Sequence, residues 1–265
     1  MTVVGKAVQS TDASEYFGRR VGFYDGAYDA AGPDGYALRS RLETTVRLCG
    51  PGPGNALDVG MGPGRLCVAL GERGWTVSGV DASPEMVEVA QGRMPDAADR
   101  LLVGRTDDLP FADGSFDLVT ATGVLEYSPV PAALAELVRV LRPGGRAVVS
   151  YPNPEAYYGI WKSRVWYRLV RVVKRLLRRP NPGLPRGAGM IRPESFEALL
   201  QAAGLASTGR AYTSFLALPA PVDALLPRLS ERLGSRLERR APGAARRLAT
   251  QVVYHAELAG SEGPS

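Results

Sequence analysis

The chain has 265 residues, 45% apolar and 22% charged, which excludes a disordered chain and a small disulfide scaffold and suffices to bury a sizeable core. Its formal charge is +5, from 32 Lys and Arg against 27 Asp and Glu. Lys162, Arg164, Arg168, Arg171, Lys174, Arg175, Arg178 and Arg179 concentrate that excess in one segment, and the balance elsewhere counts against a surface that wraps nucleic acid.

No stretch approaches the ~20 apolar residues of a membrane span, and the first residues lack a secretory pattern, so a cytoplasmic protein is expected. Residues 1–48 carry Tyr16, Phe17, Phe23, Tyr24, Tyr28 and Tyr36 and then the helical run RSRLETTVRL, and are expected to form a helical cap. Residues 49–154 alternate β-rich runs (ALDVG, WTVSGVD, RLLVG, FDLVTAT, RAVVSY) with helical patterns. That alternation predicts a doubly wound α/β core with a mostly parallel sheet. Ser83-Pro84-Glu85 is an N-cap signal, and Pro143-Gly144-Gly145 is read as the stop of the preceding helix. Residues 155–190 read as a basic amphipathic helix and loop, a lid insertion, and 191–258 as the rest of the core with a further helical insertion. Residues 259–265 are expected to be a disordered tail. Cys49 and Cys67 form no Cys-x-x-Cys pair and His255 is the only histidine. No metal is therefore expected, and both thiols are read as reduced and mostly buried.

The most informative segment is ALDVGMGPGRL, where a strand pattern meets Gly60-x-Gly62-x-Gly64 and a helix follows. Glycine there permits positive φ and close approach of a ligand, and the helix N-terminus is expected to offer free N–H groups. The spacing is wrong for a dinucleotide fingerprint because position 65 is Arg, and no Gly-Lys-Ser/Thr follows as in a P-loop. Asp58, two residues before Gly60, disfavours a pyrophosphate and favours a cation such as an α-ammonium or a sulfonium. Asp81, ending the second strand, can accept both hydroxyls of a ribose. Either acid alone reads equally well as a cap or a solvated loop residue. Together they point to a nucleoside carrying positive charge.

In these motifs the chain resembles the class I S-adenosylmethionine-dependent methyltransferases of the small-molecule type. ALDVGMGPGRL is similar to their first motif, VDASPEMVEVA to the ribose-binding acidic motif, DDLPFADGSFDLVTATGVLEY to the adenine loop and fourth strand, and LVRVLRPGGRAVVSYPNP to the entry into the fifth strand. The resemblance implies a Rossmann-like, seven-stranded α/β fold that binds S-adenosylmethionine. It implies that Asp58, Gly60, Gly62 and Gly64 surround the methionine moiety and that Asp81, with Ala82, holds the ribose. The loop Thr106 to Leu109 would approach adenine through Thr106, Asp107 and Leu109. The sequence departs from the pattern at Arg105, where similar chains often carry an acid. It departs again at Tyr127 of GVLEY, where they often have His.

The sulfonium already activates the methyl group, so in-line placement and exclusion of water supply the catalysis and no base is obligatory. Glu126, Tyr127, Tyr24 and Tyr28 are candidates to face the acceptor, with packing as the alternative for each tyrosine. The expected acceptor is a small lipophilic or secondary-metabolite molecule, methylated at oxygen. The alternatives are an RNA or protein methyltransferase, a cofactor-binding scaffold without turnover, and a dehydrogenase. The Asn-Pro-Pro-Tyr/Phe signature of amide and adenine methylation is absent.

Within residues 160–179, Trp161, Val165, Leu169, Val172 and Leu176 recur at helical spacing beside Arg164, Arg168, Arg171, Arg175 and Arg178, with no acid between Glu155 and Glu194. Three readings compete: packing onto the core with a solvated arginine face, peripheral contact with an anionic membrane, and contact with nucleic acid.

Overall fold

A computed structural model describes residues 10–176, 190–240 and 245–259. The sheet has strands β1 (Asn55–Val59), β2 (Thr76–Asp81), β3 (Leu101–Val103), β4 (Phe116–Ala121), β5 (Leu141–Pro152), β6 (Leu205–Phe215) and β7 (Ala249–Leu258). It is seven-stranded with order β3-β2-β1-β4-β5-β7-β6. β1 to β5 pair in parallel, while β7 lies antiparallel between β5 and β6. The order reverses at β1, where the crossovers change side and leave a crevice beyond the carboxyl ends of β1 and β4.

Strand residues alternate between two faces, and each face is apolar because helices cover both. Leu57, Val119, Val149 and Tyr254 point to the face covered by α6 (Val130–Val140) and α9 (Pro193–Ala202). Ala56, Leu118, Val148 and Val253 point to the face covered by α3 (Pro33–Cys49), α4 (Arg65–Gly71) and α5 (Pro84–Arg93). The α5 cap is as expected: the Ser83 hydroxyl accepts from Met86 N–H at 3.3 Å and Pro84 opens the helix. Pro143-Gly144-Gly145, read as a helix stop, lies inside β5 instead. α6 ends at Val140, Phe116 pairs with Leu141 and Leu118 with Arg146, so those residues form a bulge.

Ahead of the sheet, α1 (Ser10–Gly18) and α2 (Val21–Ala27) lead into α3. α3 is pinned to the far edge by a polar cluster under α11 (Pro227–Arg240), which follows the short α10 (Val222–Leu225). The Glu238 carboxylate accepts from Ser40 at 2.7 Å, Thr213 at 2.8 Å and the Tyr36 hydroxyl at 2.9 Å. Buried polar groups are costly when unpaired, so this shared acceptor fixes α3, α11 and β6 to one another.

The basic segment is broken into α7 (Tyr157–Trp161), a π-helical turn (Lys162–Trp166) and α8 (Tyr167–Leu176). Its continuation to residue 179, the Pro/Gly loop 180–189 and the tail from 260 lie outside the described residues. Of the apolar stripe, Val165 is 44% and Leu169 53% exposed, which counts against the packed arrangement of the first of the three readings, while the side chains of Val172 and Leu176 lie outside the described residues. The segment's first turn is tied down, the Tyr158 hydroxyl donating to Asp223 at 2.6 Å and Trp161 to Ala220 O at 2.9 Å. Among the described residues no helix is long and apolar enough to cross a membrane.

Candidate active site

The glycine loop ends β1 and turns sharply into α4, with φ of 72° at Gly60, 52° at Gly62 and 78° at Gly64. Gly60 is required twice over, because a Cβ there would also stand 2.5 Å from the Val124 side chain. A Cβ on Gly62 would meet nothing within 4 Å and would project into open space, so this glycine keeps the cavity floor bare. Gly64 is not part of the lining; it lets α4 approach Ala90 of α5, whose Cβ would be 3.0 Å from a side chain.

The N–H groups of the loop itself are taken, whereas those of Arg65, Leu66 and Cys67 in the first turn of α4, where the sequence reading expected free donors, make no hydrogen bond among the described residues. Gly60 N–H and Met61 N–H both donate to Val80 O, at 2.8 and 3.1 Å, and Gly64 N–H donates to Met61 O at 3.0 Å. Gly62 N–H donates to the Asp81 carboxylate at 2.9 Å. The β1–β2 pairing thus continues past the strand end and consumes the loop's own donors. A cradle with spent donors and two carboxylates suits a cation.

Asp58 is 2% exposed. Its carboxylate accepts from Thr120 Oγ1 at 2.7 Å and from Cys67 Sγ at 3.6 Å. Burial pushes its pKa up to about 7, with those two donors opposing. It borders the cavity, as does Asp81. Burial raises Asp81 as well, opposed by backbone N–H groups. One of its oxygens takes Gly62 N–H and the other takes Ser83 N–H at 2.9 Å. Each oxygen keeps a lone pair, which leaves the carboxylate able to accept two further hydroxyls. Ala82 lines the same wall, and its carbonyl accepts from Ser14 Oγ at 2.7 Å, so α1 closes over the end of β2.

On the adenine side, Gly104, Arg105 and Thr106 line the cavity, and Thr106 Oγ1 donates to Ser128 Oγ at 2.9 Å. Asp107 and Leu109 do not line it. Arg105 holds the Asp107 carboxylate through two nitrogens, at 3.0 and 2.8 Å. Leu109 is 4% exposed within the core, with its N–H donating to Glu136 at 2.8 Å. The side chain that departs from the family pattern thus captures the neighbouring acid.

The opposite end is aromatic: Phe17 meets Tyr24 and Tyr127 edge-on, each at 5.1 Å between ring centres, and Tyr28 joins them in the lining. Burial pushes Tyr24 up to about 12 and raises Tyr127 further, so both hydroxyls stay protonated and can donate. Glu126 lies behind this wall and not in it; burial raises its pKa, and Oε2 has no hydrogen-bond partner. His255 sits on β7 against Thr208, its Nδ1 2.6 Å from that hydroxyl, and takes no part. Among the described residues no cluster could hold a metal ion.

Among the lining residues that escaped the sequence reading are Arg41 and Thr122. The signal for Arg41 was present: it interrupts the apolar stripe Leu38, Leu42 at helical spacing, and all three line the cavity.

Residues 57–149 match the methyltransferase domain family. The demethylmenaquinone methyltransferase of Beutenbergia cavernae is 41% identical over 137 residues, 49% of this chain and 56% of that protein. An uncharacterised methyltransferase of a Mycobacterium species (strain JLS) is 39% identical over 125 residues, 47% of this chain and 49% of that one. The chain spans about half the length of the curated relatives it matches. Among solved structures, the [4+2]-cyclase SpnF superposes over 98% of this chain and 100% of its own, with TM-score 0.64 and 15% identity. The geranyl diphosphate C-methyltransferase of Streptomyces coelicolor A3(2) covers 94% of this chain and 97% of its own, with TM-score 0.59 and 16% identity. The fold is thus Rossmann-like, as in these solved structures. Residues 57–149 carry the match to a methyltransferase domain.

Proposed function

We propose that the cavity binds S-adenosylmethionine and that the chain directs its methyl group, by in-line displacement, to a small lipophilic acceptor, preferentially at oxygen. The observation that carries this is the pairing of Asp58, buried with a pKa near 7, with Asp81, whose two oxygens each keep a lone pair on the same cavity wall. When bound, S-adenosylmethionine supplies a methyl group already activated at a positively charged sulfur. Asp58 would meet that moiety's positive charge in its ionised form, and Asp81 would take the ribose hydroxyls. Thr106 would stand beside adenine.

Phe17, Tyr24, Tyr28 and Tyr127 would surround the acceptor and keep water from the methyl group, with the Tyr24 and Tyr127 hydroxyls as donors to it. Orientation of that kind is worth effective molarities of ~10⁵ to 10⁸ M without a covalent intermediate. Oxygen is favoured because a phenolic or enolic oxygen needs only hydrogen bonds. An alkene carbon leaves a cation that a base must deprotonate, and Glu126 lies outside the wall. A lipophilic acceptor accords with the aromatic wall, and with a relative named for demethylmenaquinone and a fold neighbour named for geranyl diphosphate.

The basic segment supports a delivery route for such an acceptor. α7, the π-helical turn and α8 expose Ile160, Val165 and Leu169 together with Arg164, Arg168 and Arg171, a combination suited to an anionic lipid surface. The test of the main reading is calorimetry with S-adenosylhomocysteine. Micromolar binding is expected; uptake of a nicotinamide dinucleotide with no uptake of S-adenosylhomocysteine would overturn it. Retention on heparin at physiological salt would favour an RNA substrate instead.

A further inference from the structure

Charged side chains around the cavity are almost all matched. Arg39 pairs with Glu231 at 2.8 Å, Arg65 with Asp25 at 2.9 Å and Asp29 at 2.6 Å, and Arg93 with Asp25 at 2.8 Å. Arg105 is held by Asp107 at 2.8 Å. Arg41 differs: it lines the cavity, is half-buried, and among the described residues makes no hydrogen bond or ion pair. Its guanidinium lies over the end of β4, where a Cβ on Gly123 would come within 2.7 Å of Nη1 and 2.9 Å of Nη2. Gly123, at φ 72°, therefore leaves the space that this group occupies.

The cation is close enough to lower the titration of Asp58, Tyr24, Glu126 and Tyr127, yet none of the four reaches it as a partner. Asp58 is engaged by Thr120, and the Glu126 oxygen without a partner is behind the wall. A planar fork of five N–H donors facing a shielded, aromatic-walled space matches a planar anion with two acceptor oxygens. A single guanidinium beside Asp58 and Asp81 balances one negative charge; a phosphate or diphosphate would need more cations than the wall provides.

We propose that Arg41 is a carboxylate-binding residue of this cavity. The inference rests on the reading above that the cavity holds S-adenosylmethionine and its acceptor, and the carboxylate has two sources: the amino-acid end of that compound, or the acceptor.

Arg41→Gln and the unaltered protein are titrated calorimetrically with three probes: S-adenosylhomocysteine, 5′-methylthioadenosine, which lacks the amino-acid end, and benzoate added to protein saturated with S-adenosylhomocysteine. If the carboxylate is that of the amino-acid end, the variant binds S-adenosylhomocysteine at least tenfold more weakly and 5′-methylthioadenosine equally. If it belongs to the acceptor, S-adenosylhomocysteine binds both alike and benzoate binds only the unaltered protein. Equal S-adenosylhomocysteine affinity, with benzoate bound by both or by neither, overturns the proposal. An unaltered protein that takes no nucleoside at all overturns the functional reading first and this inference with it. Should Arg41→Gln lose 5′-methylthioadenosine as well, Arg41→Lys is read in its place. A several-fold loss of the same carboxylate probe then supports the proposal, and an unchanged affinity overturns it.

Discussion

The loop after β1 and the helical segment after β5 are both clusters of charge and glycine or apolar residues beside the sheet, and they treat their polar groups in opposite ways. In the loop, Gly60, Met61, Gly62 and Gly64 spend their N–H groups on Val80, Asp81 and Met61. Asp58 is buried, Asp81 is half-buried, and both are hydrogen-bonded. In the π-helical turn and α8, Val165 and Leu169 face outward and Arg164 and Arg168 have no acid beside them on their own segment. The first region is organised before any ligand arrives, so binding there costs little ordering. The second leaves Val165, Leu169, Arg164, Arg168 and Arg171 exposed, and the partner proposed for it is an anionic lipid surface.

The sharpest way to break this comparison is at the preformed end. Asp81→Ala removes the acceptor of two backbone N–H groups and of the proposed ribose contacts. Hydrogen bonds to a charged group are worth about 1.5–3 kcal/mol each, so affinity for S-adenosylhomocysteine should fall on the order of 100-fold or more by calorimetry. An affinity within threefold of the unaltered protein would remove Asp81 from the site.

Asp58 adds a pH signature. Its folded pKa, about 7, is above the ordinary carboxylate value, so the folded chain holds this proton where the unfolded chain has released it. That contribution to stability is present at low pH and is lost as pH rises from about 4 towards 7. A ligand bearing an ammonium needs the ionised form, so S-adenosylhomocysteine should bind up to about tenfold more tightly at pH 8 than at pH 6. Asp58→Asn should flatten that dependence, and an unchanged slope in the variant would assign it to another group.

At the exposed end, vesicles containing phosphatidylglycerol should sediment the protein and neutral vesicles should not. Each arginine near an anionic surface contributes about 1 kcal/mol, so Arg168→Gln should weaken vesicle binding about fivefold. No sedimentation with anionic vesicles would remove lipid as the partner. The smallest expected effect is that of Thr120→Val, which deletes the donor to Asp58. A loss of about 1 kcal/mol in denaturant unfolding is expected at pH 8, where the carboxylate is charged, and the pH midpoint of ligand affinity should move upward.

The same contrast marks how far the chain could be read before folding. The α/β order, the α5 cap and the pair Asp58 and Asp81 were legible because each depends on neighbours within a few residues and on strand alternation. The state of the loop's N–H groups was not, because it requires knowing that β2 runs on beside Gly60 and Met61 and offers Val80 O twice. Asp107 was expected at adenine and is instead held by Arg105, a choice made by side-chain reach and not by pattern. Gly64 and Leu109 went to helix packing and core for the same kind of reason. Arg41 was overlooked because only the crossing of α3 over the end of β4 brings it to Gly123. In α8 the periodicity correctly indicated a helix, but no periodicity says whether an apolar stripe has anything to cover it.

One feature of the sheet bears on how the molecule is made. β7 follows the other six strands in the chain, yet it lies between β5 and β6 and is the neighbour to which β6 is zipped. While residues 249–258 are still inside the ribosome, the emerging chain carries two bare strand edges, and the hydroxyl-rich seam of Ser40, Thr213 and Glu238 has no frame to close against. Synthesis interrupted at that stage should leave a sticky, chaperone-dependent product, and completion of the last strand should lock both halves at once.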